Sequence, residues 1–269
     1  QGSLAHWPIA NCVVSGISPQ ISIKGYKFDN INLKMVQGDR TYSELTLSSL
    51  FYKGTLDLKT FINFRKPELP LEFSLQLEGA DISNLKNDTP LKGRPISGQL
   101  NSRLTLQGPL KQPNLLIGDG MITVANGELW QSNLLKGIWA LLLIPVYDEI
   151  IFTDAYVDFV IKNEKVITDS LTMKSRFVDL AGKGWIGFDQ TINLHVQPQF
   201  KETEILASES LRKSTTAILT HAADYISVLI TGTLSKPIYR RDTLPIKALE
   251  KATGGLLQGV QGILEEILE

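Results

Sequence analysis

The sequence predicts a mainly β protein, built from about a dozen strands that form a mostly antiparallel meander. Apolar and polar residues alternate with a period of two along most of the 269 residues, as in the run Leu-Glu-Phe-Ser-Leu-Gln-Leu-Glu at 71–78. Clusters of Gly, Pro, Asn and Asp interrupt these runs, and such clusters are typical of the turns between strands. An alternating run has one dry face and one wet face, as a half-buried antiparallel strand requires.

The predicted strands follow one another through the chain, and each is bounded by turn residues. The alternating runs lie at residues 31–35, 45–47, 56–64, 71–78, 100–106, 122–124, 157–161, 186–188, 192–196 and 226–230. The segments 106–113 and 230–237 resemble each other, with Gly, Leu and Pro at the same offsets. We interpret both as strands that leave the sheet at a glycine, after which proline prevents further pairing.

Three segments break the alternation and predict two or three helices near the C-terminal end. Residues 130–147 are apolar on every side, and the longest apolar stretch within them, 134–147, is shorter than the roughly 20 residues that span a bilayer. Residues 202–225 are rich in Ala, Ser and Thr with loose helical spacing. The tail from Asp242 predicts an amphipathic helix, which we expect to cover protein surface. For 134–147 three interpretations stay open: core, a plug or a membrane contact.

Composition and charge exclude several classes of protein. The 27 Lys and Arg residues nearly balance the 28 Asp and Glu residues, so no overall positive charge predicts a nucleic-acid partner. The apolar share of 43% and the charged share of 20% are those of a folded globular chain. Cys12 is the sole cysteine, which excludes an intrachain disulfide. Residues 1–3, Gln-Gly-Ser, are interpreted as a tag remnant that replaces the native N-terminus.

No residue pattern in the sequence predicts catalysis, a metal or a cofactor. Residues 182–187 match GxGxxG, but a dinucleotide site needs that loop between a strand and a helix, and here a turn and another alternating run follow. His6, His195 and His221 lack the spacing of metal ligands, and the acidic residues between 148 and 158 match no calcium loop. We therefore expect a protein that is not an enzyme, with no metal and no cofactor.

The predicted strands present more apolar surface on one side than the few predicted helices can cover. The pattern alone leaves two architectures open: a closed sandwich or barrel with an ordinary core, or an apolar groove filled by something else, most simply acyl chains. Parity predicts one continuous inner surface, and Gly182 and Gly184 fall on it, where missing side chains would let the sheet curl. The residues predicted to line a lipid groove are Leu71, Phe73, Leu75, Leu77, Leu100, Leu104, Leu106, Val157, Phe159, Ile161, Leu171, Met173, Ile186, Phe188, Ile192, Leu194 and Val196.

Several short segments, in this order and spacing, resemble the C-terminal region of AsmA-like proteins. Residues 118–129 resemble the "GxGxxxxxxGxL" strand and turn of that region, and 151–159 resemble its "F-x-x-A-x-x-x-F" strand. The strands at 170–175 and 178–184 follow, and 230–237 resemble the closing "xTGTLxxP". The similarity covers residues 95–269, while residues 4–94 share its style less specifically. The chain is accordingly divided into N-terminal groove strands, 4–94, and an AsmA-like region, 95–269, in one continuous sheet ending in the amphipathic helix.

The resemblance implies a large curved antiparallel sheet that forms a half-pipe, an open trough with an apolar inside. AsmA-like proteins are similar to TamB-type and bridge-like lipid transfer proteins, along whose grooves phospholipids are thought to pass between membranes. The implied setting is the periplasm of a diderm bacterium, with the protein anchored in the inner membrane by an N-terminal helix that would precede this chain. The implied partners are phospholipid or another acyl lipid, the inner membrane, and outer-membrane or other envelope proteins.

Two functions of different class therefore stay open beside the disfavoured enzyme. The first is a lipid-transfer domain that carries phospholipid acyl chains between the inner and outer membranes, in outer-membrane biogenesis. The second is an outer-membrane-protein assembly factor or envelope scaffold that acts by pairing its strand edges with a client. Lipid bound to the purified protein would favour the first function, and a lipid-free protein that captures strands would favour the second.

Overall fold

One antiparallel sheet makes up the fold. The computed structural model describes residues 12–38, 42–129, 137–138, 150–201 and 226–243. Within them, 13 strands pair in the order in which they follow one another in the chain, and β1 and β13 are the outermost strands. Each strand runs antiparallel to its neighbour. The prediction of a mainly β, antiparallel protein is confirmed.

The strands are eight to 13 residues long, and tight turns join most of them. Their bounds are β1 Cys12–Ile23, β2 Tyr26–Gly38, β3 Tyr42–Phe51, β4 Gly54–Asn63, β5 Pro70–Asp81, β6 Ser97–Pro109, β7 Ile117–Glu128, β8 Phe152–Lys162, β9 Lys165–Ser175, β10 Val178–Gly187, β11 Ile192–Phe200, β12 Ile226–Thr233 and β13 Lys236–Thr243. A short helix, α1 at Ile82–Leu85, and two 3₁₀ turns at Lys86–Asp88 and Pro113–Leu115 lie between strands. The boundary drawn between residues 94 and 95 falls in the connection between β5 and β6, which pair with each other.

The helices are where the sequence prediction and the structure differ. In the described part of the chain, α1 is the α-helix with defined ends, and it lies between β5 and β6 rather than near the C-terminal end. Gly137 and Ile138, inside the predicted helical segment, have helical geometry. The rest of 130–147, all of 202–225 and the tail beyond residue 243 lie outside the described residues. The sequence missed α1 because it is a single turn, started by the Asp81 carboxylate, which accepts a hydrogen bond from the Ser83 backbone N–H.

Two-residue turns with left-handed backbone close several of the hairpins. Tyr52 and Lys53 between β3 and β4 have φ of 47° and 70°, and Asn163 and Glu164 between β8 and β9 have φ of 53° and 58°. Two consecutive positive φ values match the strand twist across a tight hairpin. The second turn includes an Asn, which tolerates this conformation, whereas Tyr-Lys has no such preference and gave no turn signal in the sequence.

Irregular pairing interrupts the sheet at several places. The register shifts between Leu77 and Ala80 on β5, beside Gly79 with φ of 68°, and between Gly182 and Gly184 on β10. Further shifts occur on β2, β6 and β8. Bulges of this kind bend a strand and increase its local twist. They matter for the site because they let both halves of one strand keep their apolar side chains on the same side of the sheet.

Candidate functional site

The pairing register places the apolar side chains of most strands on one side of the sheet. Directly opposed residues of an antiparallel pair point to the same face. Leu33 of β2 opposes Leu47, which opposes Leu58, which opposes Leu75, which opposes Leu104. These pairs carry a single row of leucines across β2–β6.

A second row of opposed residues carries the same face through the C-terminal half of the sheet. Val157 of β8 opposes Ile122 on β7 and Leu171 on β9. From Leu171 the row continues through Gly182, Val196 and Val228 to β12. The rows share a face because Ile122 lies two residues from Gly120, which opposes Leu104.

We call this side of the sheet the apolar face. Its larger apolar members are Leu33, Met35, Leu45, Leu47, Leu56, Leu58, Ile62, Leu71, Phe73, Leu75, Leu77, Leu100, Leu104, Leu106, Ile122, Val124, Val157, Phe159, Ile161, Val166, Leu171, Met173, Val178, Leu180, Ile186, Ile192, Leu194, Val196, Val228 and Ile230. The opposite side is mostly polar. Over β2–β6 it forms an open depression of about 490 Å³ whose lining includes Lys34, Lys59 and Arg103. The sheet is therefore amphipathic.

The groove residues predicted from the sequence lie together on the apolar face, with one exception. Phe188 follows the end of β10, in the turn before β11, and 52% of its surface is exposed. Its backbone N–H donates to the Glu164 carbonyl, so it belongs to the hairpin end rather than to the sheet. The predicted groove residues include none from β2–β4, although Met35, Leu45 and Leu58 belong to runs of the sequence in which apolar and polar residues alternate in the same way. The lipid-binding role of these residues stays a prediction.

Burial of the apolar face differs between its two ends. At β10–β12 the face is covered, and Leu180, Val228 and Ile230 are at most 1% exposed. Over β2–β9 most members are only half-buried, and a small buried cluster forms around Leu56 and Leu77. The structure thus combines a closed core at the C-terminal end of the sheet with a partly exposed apolar surface along the rest. We call these parts the covered end and the exposed stretch.

A residue of the apolar segment 134–147 helps to cover the covered end. Ile138 is 0% exposed and belongs to the same buried cluster as Phe152, Leu180 and Ile230. A side chain at the adjacent Gly137 would overlap the Tyr239 ring of β13, so the chain passes directly over that strand. Of the three interpretations of residues 134–147, the structure at Ile138 supports packing against protein. Leu142 and Leu143 lie outside the described residues.

Glycines on the apolar face allow close approach of neighbouring strands. The Phe159 ring of β8 lies against Gly120 of β7 and leaves no room for a Cβ there. Gly184 of β10 has φ of 140°, and a Cβ on it would collide with the Asn193 carbonyl oxygen. The GxGxxG segment therefore forms the second half of β10 and is followed by β11, as the surrounding sequence predicted.

A polar cluster ties three chain reversals together at one end of the sheet. The Tyr52 hydroxyl donates to Asp88 Oδ2 at 2.7 Å, and Lys27 Nζ lies 3.2 Å from Asp88 Oδ1. The Lys27 backbone N–H donates to the Tyr52 hydroxyl oxygen. The hydrogen bond from the Tyr52 hydroxyl lowers the pKa of Asp88, and the hydrogen bond from Lys27 lowers it further. Burial and the hydrogen bond to the Asp88 carboxylate raise the pKa of Tyr52. Sequence reasoning missed this cluster because its members are 25 to 61 positions apart.

This cluster gives a prediction for pH dependence. Because the pKa of Asp88 is lowered by folding, its stabilising contribution is present above the unfolded pKa of about 4 and is lost as the pH falls through the folded value. In Tyr52→Phe we expect the pKa of Asp88 to rise towards its ordinary value, since its main hydrogen-bond donor is removed. Carbon-13 NMR titration measures this pKa. Asp81, whose pKa is lowered by Lys53, is the internal control and should titrate as in the wild type; an unchanged Asp88 pKa contradicts the prediction.

The described residues contain no candidate metal centre. Among them no group of three or more His, Cys, Asp and Glu side chains could hold a metal ion. His195 lies on the polar side of β11, opposite Lys183. No helix within the described ranges is both long enough and apolar enough to cross a bilayer.

The chain was compared with protein-family models, with curated proteins and with solved structures. No family model matches it, and no curated protein or solved structure is significantly similar to it. Assignment of a function therefore rests on the geometry described above and on the resemblance of short segments.

Proposed function

We propose that the apolar face binds the acyl chains of phospholipid or a similar lipid, and that the chain is a lipid-binding domain of a lipid-transfer protein. The observation that carries this proposal is the exposed stretch: an apolar surface continuous over β2–β9, on a sheet whose other side is polar. Burial of apolar surface stabilises a complex by about 25 cal/mol per Å². An apolar surface that continues over the eight strands β2–β9 therefore favours an apolar partner. Acyl chains match it because they need no hydrogen bonds and can follow a long, narrow surface.

We also propose that the sheet as a whole curves into a half-pipe with the apolar face inside, although the polar side is locally concave over β2–β6. Three features support this curvature. A twisted open sheet of 13 strands exceeds the number that usually stays uncurled. Bulges recur across it and each bends a strand. Glycines on the apolar face, Gly120 and Gly184 among them, remove side chains from the side that a concave bend would crowd.

The proposed setting follows from the AsmA-like segments and is the periplasm of a diderm bacterium, where the domain would work from an inner-membrane anchor. Lipid would move along the exposed stretch between the inner and outer membranes. The covered end would stop acyl chains at β10, since Ile138 and its neighbours already fill that part of the face. In this proposal the protein provides a path and performs no covalent chemistry.

The experiment that tests the function compares lipid bound to two matched variants. In the first, Phe73→Glu and Leu75→Glu place two carboxylates on the apolar face of β5, where both side chains are half-buried. In the second, Ser74→Glu and Gln76→Glu place the same charges on the same strand but on the polar face, where both side chains are exposed. Burying an unpaired carboxylate beside an acyl chain is costly, so the first variant should lose most bound lipid.

Lipid extracted from each purified protein is identified and quantified by mass spectrometry, and each protein's unfolding is measured alongside. The expected result is phospholipid in the wild type and in the polar-face variant, and at least a severalfold loss in the apolar-face variant while it remains folded. Lipid-free wild type, from cells and after incubation with phospholipid vesicles, would contradict the proposal. Equal lipid in both variants would show that binding does not use the apolar face.

A further inference from the structure

Within the part of the chain that the structure describes, the outermost strand β1 presents one long edge of the sheet without a neighbouring strand. It covers Cys12–Ile23, and in the described part of the chain it pairs with β2 alone. The backbone N–H and C=O groups on its other side form a row that another strand can pair with. The strand is 12 residues long, well above the length of the short edges that proteins use to limit such pairing.

The side chains of β1 offer little to prevent pairing, since Pro19 is the single position of the strand that lacks a backbone N–H. The strand contains no charged residue. Ile17 is 86% exposed and Val13 63% exposed, and Val14, Ile21 and Ile23 are exposed as well. Val13 and Ile17 lie on the polar side of the sheet, because they oppose Val36 and Asn32, whereas Val14 opposes Met35 of the apolar face. Apolar side chains are therefore exposed on both sides of this edge.

The opposite edge of the sheet is built differently. β13 is eight residues long and contains Lys236, Arg240 and Arg241, with Pro237 at its second position. Short length, positive charge and proline are the devices that protect an edge strand from pairing. Both outermost strands contain a proline, Pro19 in β1 and Pro237 in β13, so β1 differs from β13 in its greater length and in its lack of charge.

We propose that β1 pairs with β1 of a second copy of this chain, around a two-fold axis perpendicular to the sheet. The strand that fits this edge must be extended over about 12 residues, uncharged and apolar on both sides; β1 itself has these properties. A two-fold axis of this orientation pairs the copies antiparallel, as all neighbours in the sheet already are. It also keeps the two apolar faces on the same side, so the apolar surface continues from one subunit into the other.

This inference is independent of lipid binding, since it rests on the strand edge and not on the apolar face. Sedimentation velocity over a range of protein concentrations tests it. The wild type should be a dimer that dissociates on dilution, and Ile17→Lys should be monomeric because two lysines would meet near the axis. The matched control is Ile238→Lys, which puts the same charge at an exposed apolar position of β13 and should leave the dimer intact. A wild type that stays monomeric at all concentrations overturns the proposal, as does equal dimerisation of Ile17→Lys.

Disulfide trapping tests the geometry. Antiparallel pairing of two β1 strands over residues 12–22 places Ile17 directly opposite its own copy. Each residue further along the strand separates the two copies by about 7 Å more, two residue rises. Oxidation should therefore link subunits through Ile17→Cys in a Cys12→Ser background, whereas the native Cys12, at the end of the strand, should link poorly. More efficient linkage through Cys12 than through position 17 would exclude this arrangement.

Discussion

Replacing Gly184 by valine is expected to reduce the free energy of unfolding by about 3–5 kcal/mol, enough to unfold a marginally stable domain. Gly184 has φ of 140°, a conformation that valine rarely adopts. A Cβ at this position would also lie 2.9 Å from Leu194 Cα and collide with the Asn193 carbonyl oxygen. Both obstacles are backbone atoms of β11, so no side-chain movement can relieve them.

The matched control for this substitution is Gly182→Val, two residues earlier on the same face of the same strand. A Cβ there would meet Leu171 Cδ2 at 3.1 Å, the end of a side chain that can rotate away. We expect Gly182→Val to cost much less stability than Gly184→Val. Denaturant unfolding of both variants measures the difference. If the Gly182→Val and Gly184→Val variants are equally stable, the close approach of β10 and β11 does not require a glycine at position 184.

Replacing Ile138 by glutamate is expected to destabilise the protein by at least about 3 kcal/mol, because a carboxylate would replace a fully buried side chain whose described neighbours form an apolar cluster. Ile151→Glu is the control, since Ile151 is 50% exposed and lies near the same cluster in the sequence. Thermal unfolding should give a clearly lower Tm for Ile138→Glu than for Ile151→Glu.

The same pair of variants distinguishes core packing from membrane contact. Liposome co-sedimentation is measured beside unfolding. A membrane-contacting residue would tolerate glutamate in solution and lose binding to liposomes. If Ile138→Glu is as stable as Ile151→Glu and differs from it only in liposome binding, the segment contacts a membrane at this position and its packing at the covered end is not required for folding.

The sequence predicted most inner strands and their apolar side, because half-burial produces a visible alternation. It missed both outermost strands, β1 and β13, and the interpretation of Pro237 as the end of pairing was wrong, because Pro237 pairs with Gly232 in the β12–β13 hairpin. The rows from Leu33 to Leu104 could be anticipated strand by strand from parity. Pairing order was equally accessible wherever a short turn joins consecutive strands. It was less accessible across residues 82–96, 129–151 and 201–225, because long connections permit other pairings. Phe188 was misplaced because parity does not show where a strand ends.

Other features depend on contacts that leave no local pattern. The Tyr52-Lys53 turn adopts a backbone that its residues do not favour, so the surrounding hairpin imposes it. The cluster of Lys27, Tyr52 and Asp88 forms only when three separate chain reversals come together. The covered end likewise required tertiary information, since nothing in residues 134–147 indicates that Ile138 packs against β10–β12.

The identity of strand order and chain order has a consequence for biosynthesis. Every strand pairs with the one synthesised immediately before it, so no segment has to wait for a distant partner to emerge from the ribosome. Most of these connections are tight turns, which favours fast pairing even though all-β proteins usually fold slowly. The longest connections, residues 129–151 between β7 and β8 and residues 201–225 between β11 and β12, add little to the cost of closure, because loop entropy grows slowly with loop length. The sheet can therefore grow one hairpin at a time during translation, and the most recently added strand is always the edge that receives the next.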